Sequence, residues 1–211
     1  FRSGFVSANI HSSVSGTVAA VEPYADLAGN PVMHVIIDVE GDEWEESIDR
    51  TPDVVRDITL SKEEIIKRIQ DCGIVGLGGA SFPTHIKLTP PPGKVAEYLL
   101  INGAECEPFL TSDYRLMIEQ PEQVLIGAKI MMKALDVKKC RFGVEENKPE
   151  AIAKLKSFSA QYPEIEIVPL KKKYPQGGEK QLIEALTGRR VPSMGLPIDA
   201  GAVVQNCGTA L

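Results

Sequence analysis

Three loops carry the residue types and spacings that could do chemistry. The first runs Gly73-Ile74-Val75-Gly76-Leu77-Gly78-Gly79-Ala80-Ser81-Phe82-Pro83-Thr84-His85-Ile86-Lys87. Closely spaced glycines remove side chains, so that backbone N–H groups can approach an anion such as a phosphate. Lys87 adds a full positive charge at short range, and Phe82 offers a face to a flat ring. The stretch from Gly76 to Ser81 looks like the dinucleotide fingerprint GxGxxG but lacks its last glycine. It also precedes a proline and follows a helical pattern, so a standard Rossmann reading is weak and a plain turn stays open. The second loop is Asn102-Gly103-Ala104-Glu105-Cys106-Glu107-Pro108, after an apolar run ending at Ile101. Glu105 and Glu107 could accept hydroxyl or amide donors from a ribose, an amide or a base; a solvated loop is the alternative. Cys106 lies between these two negative charges, which work against a thiolate and so against a nucleophilic role. The third loop, Tyr174-Pro175-Gln176-Gly177-Gly178-Glu179-Lys180, opens a helix whose positive end would welcome an anion. Glu179 could equally cap its own helix. None of the three histidines, His11, His34 and His85, stands at motif spacing from a Ser, Cys or Asp, so hydrolysis is not supported. The combined chemistry is that of a phosphate-bearing, ring-containing ligand held by glycines, a lysine, an asparagine, carboxylates and aromatics.

The elements that must position these loops follow from periodicity. Residues 1–45 are β-rich, with strands expected at Ser13–Val21 and Pro31–Val39 and turn chemistry at Ala28-Gly29-Asn30-Pro31. A linker follows over 46–60, passing through Thr51-Pro52, and an α/β domain over 61–211. In that domain Ser61-Lys62-Glu63-Glu64 has the form of a capping box, with Ile65, Ile66 and Ile69 on one face and Gly73 as the stop. Val95–Ile101 reads as a strand. Pro121 opens a helix with Val124, Leu125, Ala128, Met131, Met132 and Leu135 on one face; those methionines fill core rather than bind anything. Cys140–Val144 is the next strand, then a helix capped by Asn147 with Pro149 in its first turn, a strand over Ile165–Leu170, and a helix over Gly178–Leu186. The alternation implies right-handed crossovers and a mainly parallel sheet, with ligands beyond the carboxyl ends of its strands.

The composition removes several function classes. Among 211 residues, 23 basic against 29 acidic give a net charge of −6, without the basic stripe of a nucleic-acid binder. Lys171-Lys172-Lys173 is the only basic run and reads as a solvated strand end or loop. No apolar run approaches the about 20 residues that span a bilayer, and the opening residues hold no apolar signal-peptide core. The four cysteines, Cys72, Cys106, Cys140 and Cys207, are too scattered for a zinc ribbon or a ferredoxin-type cluster motif, so no metal ligand is assigned. They look like a reduced inventory. Ser12–Glu22 resembles the opening hairpin of lipoyl- or biotin-carrier sandwich barrels, yet residues 1–61 contain no lysine to modify, which leaves a structural module. A chain starting at Phe1 and stopping at Leu211 reads as a piece of something longer.

Taken in order, GLGGASFPTHIKL, LLINGAECEP with Asp113 following, YPQGGEKQLIEALTGRRVP and VVQNCGTA resemble the flavin-binding fold of the NADH-dehydrogenase 51 kDa subunit family. Within it they look closest to the C subunits of Rnf electron-transport complexes, over about residues 61–211, and the β-rich module resembles the sandwich barrel preceding the flavin domain there. The resemblance implies a Rossmann-like α/β fold that binds FMN and docks NADH against it, passing hydride to the flavin and electrons onward to iron–sulfur clusters. Carried over by position, Gly76, Gly78, Gly79, Lys87, Asn102, Glu105 and Asn206 would bind FMN. Phe82, Glu107, Tyr174 and Glu179 would line the NADH slot, and no side chain is assigned a catalytic role beyond binding. The 4Fe-4S clusters would lie beyond Leu211. Implied partners are the membrane subunits of an Rnf-type complex and a ferredoxin-type iron–sulfur subunit, with the chain held peripherally at the cytoplasmic face of the membrane. The pattern departs from the respiratory subunits, which have acidic residues where Ala104 and Gly178 stand here. They also carry basic and aromatic residues where this chain has Leu196 and Ile198, and an apolar residue where it has Cys207, read here as a buried structural thiol. A soluble family member serving as reductase for cobalamin or an amino-acid reductase is the alternative enzyme reading. A noncatalytic scaffold that has lost its flavin is the alternative from another class.

Overall fold

Two β-branched runs separated by turn residues pair as expected near the start of the chain. In the computed structural model, which describes residues 4–51 and 53–211, β1 (Gly16–Ala25) and β2 (Pro31–Val39) form an antiparallel hairpin. β1 starts three residues later than the sequence pattern suggests. Asp26 closes the turn by accepting the N–H groups of Ala28 and Asn30, each at 2.8 Å. One face of the hairpin pairs Pro23 with Met33, Val21 with Val35 and Val18 with Ile37, an apolar row that stays largely exposed. Ile10–Asp53 forms one structural unit.

The other unit joins Val54–Leu211 with residues 4–9. Residues 4–9, which the sequence groups with the β-rich module, make their contacts with the larger unit. The Asn9 side-chain amide donates to the carbonyl of Asp71 at 3.0 Å. The second half of the expected linker is likewise docked: Val54, Ile58 and Leu60 pack on the core, and Arg56 pairs with Glu122 at 2.8 Å.

In this unit the capping box forms as read, with Ser61 and Glu64 exchanging bonds at the start of α1 (Lys62–Asp71). The chain continues through α2 (Thr84–Lys87), β3 (Tyr98–Gly103), α3 (Ser112–Glu119), α4 (Pro121–Leu135), β4 (Cys140–Glu145), α5 (Pro149–Ser159), β5 (Ile165–Leu170) and α6 (Glu179–Thr187). A 3-10 turn at Pro197–Ala200 leads into β6 (Ala202–Asn206) and α7 (Cys207–Ala210). Two expectations need correction. The cap position of α5 is Lys148, not Asn147, and no side chain caps it. β3 runs Tyr98–Gly103, because Val95 is 75% exposed and lies outside the ladder.

The sheet is parallel throughout, in the order β5-β4-β3-β6. Leu99, Ile101, Phe142, Val144 and Val203 face α1, α4 and α5, while Leu100, Val204 and Leu170 face Leu182, Ile183 and Leu186 of α6. Helices on both faces explain why these strands read as continuous apolar runs. Chain order reverses across β3, with β4 on one side and β6 on the other, and such a switch point opens a crevice at the strands' carboxyl ends. α7 lies directly on α4: a Cβ built on Gly127 would stand 1.5 Å from the carbonyl oxygen of Ala210.

Candidate functional site

The crevice is built from the three loops singled out by sequence and from the turn between β6 and α7. The glycine loop closes on itself, with Gly76 N–H donating to the Phe82 carbonyl at 2.8 Å and a bridge between Val75 and Pro83. Gly79 adopts φ +106°, which side chains disfavour, and a Cβ there would meet nothing within 4 Å. The loop is tied to the end of the sheet. Leu77 N–H donates to the Thr209 hydroxyl at 2.9 Å, and a Cβ on Gly78 would stand 3.5 Å from the Cβ of Asn206. Phe82, 37% exposed, follows the left-handed Ser81 at the loop's far side.

α2 is a single turn, and it delivers Lys87. The ammonium donates to Glu179 Oε1 at 2.8 Å and to the Val204 carbonyl at 2.9 Å. Glu179 is the first residue of α6, and its carboxylate pairs with Lys87. A cation is thus fixed between β6 and α6, at the mouth of the crevice.

The loop after β3 divides the labour differently from the expectation. Asn102 spends its amide on the backbone, donating to the Gly177 carbonyl at 2.9 Å and accepting from Ala104 N–H at 3.0 Å. It stitches the second loop to the third, and a Cβ on Gly177 would come 2.5 Å from the Ala104 carbonyl. The Glu105 side chain is only 4% exposed. It accepts the N–H groups of Asp113 and Tyr114 at 2.9 and 3.3 Å, and Lys148 reaches its carboxylate at 3.2 Å and its carbonyl at 3.0 Å. Glu105 therefore caps α3 from a distance. Glu107 stands in the open and accepts the Tyr174 hydroxyl at 3.1 Å, which raises the phenol's pKa because the carboxylate disfavours a second negative charge.

At the opposite edge, Asn206 caps α7 by accepting Gly208 N–H at 2.8 Å and donates to Asp113 at 2.7 Å. Burial raises the Asp113 carboxyl above its usual range, opposed chiefly by the bond from Asn206. Cys207 is buried as expected, and desolvation, reinforced by Asp113, pushes its thiol upward.

All eleven sequence candidates lie on the glycine loop, α2, the loop after β3, the start of α6 or the end of β6, and Asn102 and Glu105 are engaged within the protein. Sequence reasoning assigned no role to Asp113, Lys148, Gly177 or Thr209. The adjacent glycines before Glu179 were a usable signal for Gly177, and Asp113 and Thr209 fall in or beside quoted motifs; nothing local marks Lys148. Gln176 and Gln205 each bury a side-chain atom without a protein partner. Among the described residues no group of three or more His, Cys, Asp or Glu is placed to hold a metal. Nor is any helix there long and apolar enough to cross a membrane.

The glycine cradle, the fixed cation and the donors at Asn206 suit a flavin mononucleotide, whose phosphate needs N–H and ammonium partners and whose ring needs a surface free of side chains. Comparisons with known proteins point the same way. Residues 69–211 match the Nuo51 FMN-binding domain, and residues 2–42 match the RnfC barrel sandwich hybrid domain. Over 208 residues the chain is 47% identical to the C subunit of the proton-translocating ferredoxin:NAD(+) oxidoreductase complex of Clostridium ljungdahlii, covering 98% of this chain and 45% of that protein. It is 47% identical to the Na(+)-translocating counterpart of Acetobacterium woodii, covering 46% of it. Identity to the C subunit of the ion-translocating oxidoreductase complex of Pseudomonas aeruginosa is 43%, over 26% of that protein. The chain therefore spans less than half the length of these relatives. Among solved structures, an NAD+-reducing NiFe hydrogenase in its H2-reduced state superposes with a TM-score of 0.58 at 28% identity, over 71% of this chain and 29% of that one. With more than half its length matched, and with the cradle in place, this chain belongs to the Nuo51 FMN-binding domain family.

Proposed function

We propose that this chain is the flavin module of an Rnf-type ferredoxin:NAD oxidoreductase, binding FMN and docking NADH against it. The observation that carries the reading is Lys87, held between Glu179 and the Val204 carbonyl beside a glycine loop that rests on Asn206. Bound FMN would supply the chemistry, accepting a hydride and releasing electrons singly. The protein's part is placement. Lys87 is already oriented by two acceptors, so an incoming anionic group meets a cation that need not reorganise. Gly76, Gly78 and Gly79 keep the loop thin enough for a flat ring to approach backbone, and Gly78 stands next to the Cβ of Asn206. Tyr174 orients Glu107 through one oxygen and leaves the other to accept a ribose hydroxyl, with Phe82 and Glu179 completing the dinucleotide slot. Asn102 acts by holding Gly177 in place rather than by touching the ligand, and Glu105 by fixing α3.

In this reading the electrons leave for 4Fe-4S clusters in a region beyond residue 211, and the chain sits peripherally on the membrane subunits of its complex, with ferredoxin-type iron–sulfur protein as partner. Titration with FMN, followed by anaerobic NADH, tests it. The expected result is stoichiometric binding with loss of the visible flavin band on NADH addition. Bound flavin that NADH leaves unbleached would exclude the NADH assignment, and a chain that takes no FMN would be a scaffold.

A further inference from the structure

We infer that Asp113 is a positioning residue of this cradle, fixing the side-chain amide of Asn206 in the one orientation that presents a remaining N–H to the ligand. The inference rests on the FMN reading for its consequence, not for its geometry. An asparagine amide has a donor end and an acceptor end, and its surroundings decide which way it points. Here the two partners are of opposite type: Oδ1 accepts the Gly208 N–H at 2.8 Å, and Nδ2 donates to Asp113 Oδ2 at 2.7 Å. Only one orientation satisfies both. One hydrogen of Nδ2 is used by Asp113, which leaves the second on a side chain lying under Gly78 of the glycine loop.

The carboxylate is held in turn. The Asp113 N–H donates to Glu105, which Lys148 neutralises at 3.2 Å. The Cys207 thiol is pushed up by burial and then by the Asp113 charge, so it stays protonated beside the carboxylate. Burying this charge is costly, and an amide of the same shape would be cheaper to bury. An amide there could still accept from the Asn206 NH2 through its oxygen, but as a neutral bond in place of a charge-assisted one. The carboxylate therefore holds the Asn206 amide more firmly than its amide isostere would.

Asp113→Asn tests the assignment with little change of shape. In the ligand-free chain, the side-chain N–H signals of Asn206, followed by NMR, should shift with pH as Asp113 titrates among Glu105, Lys148 and Cys207. That response should vanish in Asp113→Asn. In the FMN titration, Asp113→Asn should weaken binding about tenfold, without lowering the melting temperature, and Asp113→Glu should recover part of the loss. The Asn206→Ala variant should weaken binding comparably, and the double variant should be no worse than Asn206→Ala alone. Additive losses, or Asn206 signals indifferent to residue 113, would overturn the inference. A wild-type chain that does not bind FMN would sink the flavin reading instead, and the NMR response would still decide whether Asp113 governs Asn206.

Discussion

Replacing Gly127 by alanine should destabilise the protein, although the same change in most helices does the opposite. Gly127 lies inside α4, where alanine is favoured over glycine by about 1 kcal/mol. A Cβ there would stand 1.5 Å from the carbonyl oxygen of Ala210 and 2.6 Å from its carbonyl carbon. Ordinary contact would require α7 to retreat by about 1.7 Å. The atoms met are backbone, so no rotamer change relieves the clash. Overpacking of this kind costs about 1–3 kcal/mol and occasionally more; with backbone atoms in the way the upper end applies, which outweighs the propensity gain of about 1 kcal/mol and leaves a net loss of about 1–2 kcal/mol. Because α7 carries Cys207 and Thr209, and Asn206 caps it, the displacement should also loosen the glycine loop at Leu77. Urea melts would read the stability, and FMN titration the site, with both expected to fall together. Equal or greater stability in Gly127→Ala would refute the reasoning that α7 is seated directly on the backbone of α4.

Four further outcomes are expected. Phe109 is fully exposed at φ +69°, so Phe109→Gly should relieve left-handed strain and stabilise the chain by about 0.5–1 kcal/mol after the entropy cost of glycine, read by urea melts. Lys148→Met would leave the Glu105 carboxylate buried without its cation and should cost about 3 kcal/mol by the same measurement. The Asp113 carboxyl is raised above its ordinary 3.8 by burial, so its ionised form opposes folding; stability from this group should increase as pH falls through the raised value towards 3.8, and Asp113→Asn should remove that increase, as urea melts across acidic pH would show. Tyr174→Phe removes the donor that orients Glu107 and should raise the KM for NADH about 3- to 10-fold with kcat little changed, measured in flavin-loaded protein.

The features legible in the sequence were those that depend on local pattern. The Ser61–Glu64 capping box, the apolar face of α4 and the extent of β2 all follow from spacing within a few residues, and they appear in the structure as read. α3 was not visible because its first turn is capped by Glu105, seven residues before the helix begins, rather than by a neighbouring Ser or Asp. β6 is only five residues long, and nothing in Ala202–Asn206 states that it pairs with β3 rather than following β5 in order. The candidate site shows the same division. Glycines, Lys87 and the paired carboxylates stood out by type, since those residues are scarce in elements built for packing. Which carboxylate faces outward was decided by tertiary contacts: Lys148 and the α3 backbone draw Glu105 inward, while Glu107 meets Tyr174 in the open.

The cradle draws on segments far apart in the chain, since Leu77 bonds Thr209, Lys87 bonds Val204 and Asn206 bonds Asp113. The cradle as a whole cannot be complete while a nascent chain is shorter than residue 209, because β6 and α7 supply one side of every one of these links. Ligand loading therefore waits for the docking of one short strand beside β3. Whatever the cradle binds also favours the folded ensemble by mass action, so cellular supply of that ligand should set how long newly made chains survive surveillance by proteases.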